Sequence, residues 1–189
     1  MIRKAYILHD QGKDNEAMKE ADDAERLLSL GECHEDAAEI NCAKANIILS
    51  KGQNSHEDRT RILLHLDKCI HSCRKATVDK TVTAVQATLR KAHVHLGYYQ
   101  HGILEDVPKS DVETAESILD FISKQSEPLS QRSKVYYTYG RSLLAHRKGD
   151  TSTATKLEHK LRRKCESHKL GFEIRQLDML RTLVRGENK

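Results

Sequence analysis

Apolar residues recur every three or four positions along nearly the whole chain, the spacing of helices that hide one face and wet the other. Ile62, Leu66, Cys69, Ile70 and Cys73 form one such stripe. Ala115, Ile118, Leu119 and Ile122 form a second, Ala154, Leu157, Leu161 and Cys165 a third, and Ile174, Leu177, Leu180 and Val184 a fourth. The pattern predicts helices over 2–11, 14–30, 34–51, 56–75, 79–101, 110–125, 129–148, 151–168 and 172–185. Each stripe is about one face wide, so each helix needs neighbours to bury it.

The residues between the stripes supply the breaks. Gly12, Gly52, Gly102 and Gly149 each follow a periodic stretch, where a glycine closes a helix in the left-handed conformation. Pro108 and Pro128 fall between segments, where a missing N–H costs nothing and the preceding residue is pushed out of the helical region. Ser110 and Asp111 are candidate starts for one helix, and Asp150, Thr151 and Ser152 for another, through side-chain oxygens that accept from orphan N–H groups.

Composition narrows the class. In 189 residues, 38% are hydrophobic, 32% charged and only 4% aromatic, with two prolines and no tryptophan. That is too apolar for a disordered chain and too poor in aromatics, Gly and Pro for a β-sandwich or barrel. No apolar run approaches the roughly 20 residues that span a bilayer, and the first residues lack a signal-peptide core. The expectation is a cytoplasmic, nearly all-helical protein with no membrane contact. The five cysteines, an odd number with no C-x-x-C pair, read as free thiols, several in the core.

Charge is graded along the chain. Residues 1–60 carry 8 Lys/Arg against 13 Asp/Glu, residues 61–128 carry 9 against 9, and residues 129–189 carry 15 against 6. Such polarity steers a charged partner or favours head-to-tail association of copies, so a homo-oligomer stays open; sign drift among solvated helix faces gives the same gradient.

The four glycines stand 40, 50 and 47 residues apart, each between a pair of helical stretches, an internal repeat in the range of helical solenoids. The first unit reads Ala5-Tyr6, Gly12, Glu16-Ala17, Ala21 and Ala24-Glu25. It resembles the tetratricopeptide repeat, in which a helix ends at a glycine and small residues follow at fixed steps. Tyr136 to Gly140 through Gly149 and Ala154 is similar, as is Leu96 to Tyr99 through Gly102. The second unit departs from the pattern with Glu57 at the small position, and the spacing exceeds the family's usual thirty-four residues. Long repeats of this kind resemble those of interferon-induced tetratricopeptide proteins and of the sensor arms of signalling ATPases.

The resemblance implies an all-α solenoid of about four antiparallel helical hairpins, 1–31, 33–76, 79–126 and 129–169. A capping helix at 172–185 and a polar tail at 186–189 complete a single repeat domain over 1–185. Stacking follows because one hairpin cannot bury its stripe alone. The first helices of the pairs would line an inner surface that includes Lys44, Arg90, Lys91, Tyr98, Tyr137 and Arg141. That surface would bind a peptide or partner helix without catalysis, as a scaffold or as the sensing arm of a larger innate-immune or other signalling protein.

Other chemistry is sparse. His65, Cys69 and Cys73 share a helical face and offer soft metal ligands, but Cys69 and Cys73 also continue an apolar stripe and read as core. The acidic groups Glu20, Asp22, Asp23, Glu25 and Glu32, Glu35, Asp36, Glu39 lack calcium-loop spacing and read as solvated faces. No phosphate-binding glycine loop and no nucleophile–base motif occurs, so neither cofactor nor enzymatic activity is expected, an enzymatic or metal-binding helical protein being the lesser alternative. The sharpest basic feature is Lys156, Lys160, Arg163 and Lys164, on one helical face opposite Leu157, Leu161 and Cys165. With the interferon-type resemblance it makes RNA the alternative partner; a solvated face is the plain reading.

Overall fold

The computed structural model describes residues 2–28, 33–51, 55–125 and 128–185. Gly52, Glu32 and the tail 186–189 lie outside them. Among the described residues the protein is all-α, 80% helical, with nine helices packed mostly as sequence-neighbouring pairs. They are α1 (Ile2–Asp10), α2 (Asp14–Leu28), α3 (His34–Ser50), α4 (His56–Lys75), α5 (Thr81–His95), α6 (Lys109–Ser123), α7 (Gln131–Arg147), α8 (Thr151–Ser167) and α9 (Gly171–Arg185). Two short strands, β1 (Tyr98–Tyr99) and β2 (Gly102–Ile103), lie between α5 and α6. None of these helices is long and apolar enough to cross a membrane.

The chain divides into two compact units, residues 1–88 and 89–189, and the boundary falls inside α5 rather than between two of the expected repeats. In the first unit α1 packs on α2, α2 on α3 and α3 on α4, and α1 also reaches α3. α3 is the central element. Its Ala38, Ile40, Ala43, Ala45, Ile47, Ile48 and Leu49 are buried all round the helix, whereas α4 buries one stripe, Ile62, Leu66, Cys69 and Cys73. α2 meets its neighbours through Ala17, Ala21 and Ala24, small residues that let helix backbones approach. Ser55 starts α4 by accepting from the Asp58 N–H at 3.0 Å.

The second unit repeats the scheme around α7. Val135, Tyr139, Leu143, Leu144 and Ala145 are buried, with α6, α8 and α9 packed against this helix. α6 contributes Ala115, Leu119 and Ile122, α8 contributes Ala154, Leu161 and Cys165, and α9 contributes Leu177, Leu180 and Val184. α8 also packs on α9. Buried Ser142 on α7 donates to the Ala154 carbonyl on α8 at 2.7 Å. Asp150 is the residue that caps α8, accepting from the Thr153 N–H at 3.0 Å. α6 begins one residue ahead of the two candidate starts, because the Pro108 carbonyl already accepts from Asp111 and Val112.

Gly12 and Gly149 take the positive φ expected of helix-closing glycines, at 74° and 80°. The third break differs from the sequence expectation. α5 ends at His95, not near residue 101, and its closing glycine is Gly97 at φ 83°. Gly102 instead lies in β2, and the chain forms a tight antiparallel hairpin with Tyr98 opposite Ile103 and Tyr99 opposite Gly102. The cause lies downstream. Arg147, at the end of α7, donates through Nε to the Leu96 carbonyl at 3.2 Å and through its two terminal nitrogens to the Leu104 and Glu105 carbonyls. Gly97 fits beneath this clamp because it has no Cβ; one added there would lie 2.7 Å from Val107 Cγ2.

Candidate functional site

In the second unit, α5, α7, α9 and the hairpin bring their polar side chains to one place. His93 on α5 is fully buried, and its Nε2 lies 2.9 Å from the Tyr136 carbonyl on α7. A carbonyl only accepts, so Nε2 carries the proton. Three phenol rings surround the imidazole, with centroids at 5.3 Å for Tyr139, 5.7 Å for Tyr98 and 6.3 Å for Tyr136. Tyr98 and Tyr139 meet edge to face at 5.4 Å. Gly140, mid-α7, leaves the room for His93: a Cβ there would lie 3.0 Å from Nε2. Burial pushes the His93 pKa down from 6.5 to about 4, so the ring is neutral at pH 7.

Toward solvent the cluster becomes charged. Tyr98 donates its hydroxyl hydrogen to Gln176 Oε1 on α9, and Gln176 Nε2 reaches the Gln100 carbonyl of the hairpin at 3.5 Å. Glu173, in the first turn of α9, is 3% exposed, yet it accepts from Arg132 Nε at 2.7 Å and from the Tyr136 hydroxyl at 3.5 Å. Burial raises the Tyr98 and Tyr136 phenols, while the positive charge of Arg90 acts on both in the opposite sense. The buried Tyr139 hydroxyl has no hydrogen-bond partner among the described residues. The result is a neutral, aromatic interior with half-buried Arg90, Tyr98 and Tyr136 and exposed Arg132 at its mouth.

Of the residues expected on an inner surface, Arg90 and Tyr98 belong to this cluster. Tyr137 is half-buried beside Tyr136, and Lys91 is half-buried on α5. Arg141 ties α7 to α6 through Asp120 at 2.8 Å. Lys44 lies in the first unit and is nearly sealed, its Nζ 2.6 Å from Asp22 and 2.5 Å from Glu25, so its charge is engaged within that unit. Next to it His65 Nδ1 donates to Asn41 Oδ1 at 2.9 Å; the Asn41 amide is oriented by donating to the Ala37 carbonyl. Burial, then the charges of Lys44 and Lys68, lower the His65 pKa to about 4. Among the described residues no group of three His, Cys, Asp or Glu is placed to hold a metal ion.

Sequence reasoning missed Glu173, Gln176 and Arg132. A lone Glu and Gln at i and i+3 on an amphipathic helix read as solvent-facing, and only the hairpin and α7 reveal what covers them. The basic strip stands as its periodicity required: Lys156, Lys160 and Arg163 are exposed, Lys164 is half-buried, and Leu161 and Cys165 face the core. Neighbouring Arg162 is engaged with Glu158 at 3.0 Å and Asp178 at 2.8 Å. In the first unit an open cleft of about 490 Å³ lies among α1, α2 and α3, lined by Ile2, Leu27, Leu28 and Ile40 with Asp36 and Glu39.

The class that fold and site define is an all-α protein of neighbouring helix pairs. No protein family, curated protein or solved structure matches the chain.

Proposed function

We propose that this chain is a non-catalytic protein-interaction module that binds a peptide or partner helix on a surface built from the first helices of its pairs. The observation that carries the reading is that α5, α7 and α9, each the first helix of an expected pair or the cap, share one aromatic and charged cluster in the second unit. In tetratricopeptide-like solenoids a first helix packs on its own partner and on the next first helix. The contacts of α1 with both α2 and α3, and of α7 with both α8 and α9, agree with that scheme. Arginine and tyrosine at the mouth suit recognition: both bury large areas while keeping a polar tip. A scaffold or the cytoplasmic sensing arm of a larger signalling protein is the setting this reading implies.

The test is capture of binding partners from native cytosol, with three forms of the chain compared after circular dichroism has shown that each is folded. Arg90→Glu with Tyr137→Ala should lose a specific partner that the wild type holds. Lys160→Glu, Arg163→Glu and Lys164→Glu together should retain it. Equal recovery by all three forms removes the surface assignment.

A second reading rests on the exposed strip of Lys156, Lys160 and Arg163, which offers RNA phosphates three cations along one face of α8. Filter binding across a salt series decides it. Retention at low salt that falls steeply as salt rises, and is lost in the triple Glu variant, supports RNA; no retention at low salt removes it.

A further inference from the structure

The first unit holds a cluster of thiols that the binding reading does not use. Cys42 on α3 is half-buried, Cys73 on α4 is 8% exposed and Cys69 on α4 is fully buried. Glu35 at the start of α3 accepts from Thr77 beyond the end of α4, and Asn41 pairs with His65, so the two helices run antiparallel in a fixed register. Helical side chains lean toward the N-terminus of their own helix. In this antiparallel pair that lean brings Cys42, one residue past Asn41, and Cys69, one turn past His65, toward each other. Their thiols are in hydrogen-bonding contact, and Cys73 touches Cys69 in the same way. Asn46 Nδ2 lies 4.0 Å from the Cys42 sulfur.

We propose that Cys42 and Cys69 are a peroxide-oxidisable pair, in which a hydroperoxide drives formation of a disulfide that fastens α3 to α4. Cys42 is the entry thiol, because it alone of the two meets solvent. Its sulfur, as thiolate, attacks the distal oxygen of the hydroperoxide. The O–O bond breaks, the alcohol or water fragment leaves with a proton, and Cys42 becomes a sulfenic acid. Cys69 then attacks the Cys42 sulfur: the S–S bond forms, the S–O bond breaks, and the departing hydroxide takes the Cys69 proton as water. Two thiols are oxidised by two electrons and one hydroperoxide is reduced. Burial and the adjoining thiols hold Cys69 in its protonated form, which keeps it from reacting before Cys42 has been oxidised.

The experiment treats the full chain with hydrogen peroxide, blocks the remaining thiols and digests without reduction for mass spectrometry. Cys33 shares a tryptic peptide with Cys42, and Cys73 shares one with Cys69. The assignment is therefore made in a Cys33→Ser, Cys73→Ser background as well as in the unaltered chain. The expected result is loss of two hydrogens and a linked pair of peptides, 27–44 with 69–74, reversed by a dithiol. The linkage should form roughly tenfold or more faster in the folded chain than in urea, since the fold holds the sulfurs together. Cys42→Ser should abolish it, and so should Cys69→Ala once circular dichroism shows that variant folded; Cys42→Ser, at a half-buried position, keeps the test decisive otherwise. The proposal is overturned by a link between Cys69 and Cys73 instead, by linkage only in urea, or by over-oxidation of Cys42 with no linked peptide. A soft metal ion found on the three thiols that blocks the reaction would equally overturn it.

Discussion

Gly140 allows a sharp test of the packing around His93. Ala in place of Gly in a helix interior gains about 1 kcal/mol from backbone entropy, so a surface reading of α7 makes Gly140→Ala stabilising. The structure gives the opposite sign. The new Cβ would stand 3.0 Å and 3.1 Å from two atoms of the His93 ring and 3.2 Å from Leu119 Cδ2. The Leu119 methyl has room to swing, but His93 is wedged by three tyrosine rings and held by the Tyr136 carbonyl at 2.9 Å. Overpacking costs about 1–3 kcal/mol, and a buried N–H that loses its acceptor about 1–3 more. Against the gain of about 1, the net expectation is a loss of roughly 1–4 kcal/mol, some 2–4 °C of Tm per kcal/mol in a chain of this size. Thermal and urea unfolding measure it, and a double-mutant cycle gives it its edge. In a His93→Ala background the obstructing ring is gone, and Gly140→Ala should then be neutral or stabilise by up to about 1 kcal/mol. Equal costs in the two backgrounds, or a single variant as stable as wild type, would refute the argument.

Three further outcomes follow from the geometry. Stability should fall as pH drops from 6.5 toward 4: unfolded His93 and His65 bind protons at 6.5, whereas the folded forms resist until about 4. That window is worth roughly 3 kcal/mol for fully buried His93, and urea midpoints across it should flatten in His93→Gln; an unchanged slope would show that His93 does not carry the effect. Arg147→Ala should cost about 2–4 kcal/mol by leaving the Leu96, Leu104 and Glu105 carbonyls without their donor, and hydrogen exchange should quicken at residues 97–104 while α2 and α3 stay protected. Gly149→Ala, with open space around its φ of 80°, should cost about 1–2 kcal/mol for conformation alone. Gly97→Ala meets Val107 as well and should cost about 1–3 kcal/mol more in the same unfolding assay, so equal losses would argue against the clamped hairpin.

What the sequence revealed was local. The stripes of α4, α6, α8 and α9, the stops at Gly12 and Gly149, and the Asp150 cap are each settled within a few residues, and periodicity carries them. What stayed hidden depends on distant partners. Leu96 to Tyr99 continues a helical rhythm on paper, and the choice of a hairpin is made by Arg147, fifty residues on. Lys44 in an Ala-rich helix looks like a surface cation until Asp22 and Glu25 arrive from α2. The site shows the same division: His93, Tyr98 and the tyrosines of 136–139 stand out by type, but their union with Glu173 and Gln176 is a property of packing between helices far apart in the chain.

The hairpin after α5 has a further consequence. Modular arrays grow and shuffle because any module will seat against any other. Here the stretch between two modules has been rebuilt with its own fastenings, a guanidinium from α7 and an amide from α9, and neither travels with it if α5 and α6 are duplicated or transplanted. Inheritance and engineering alike must therefore treat residues 89–185 as one piece, able to change at its outer faces but not to be cut and relinked at its joints.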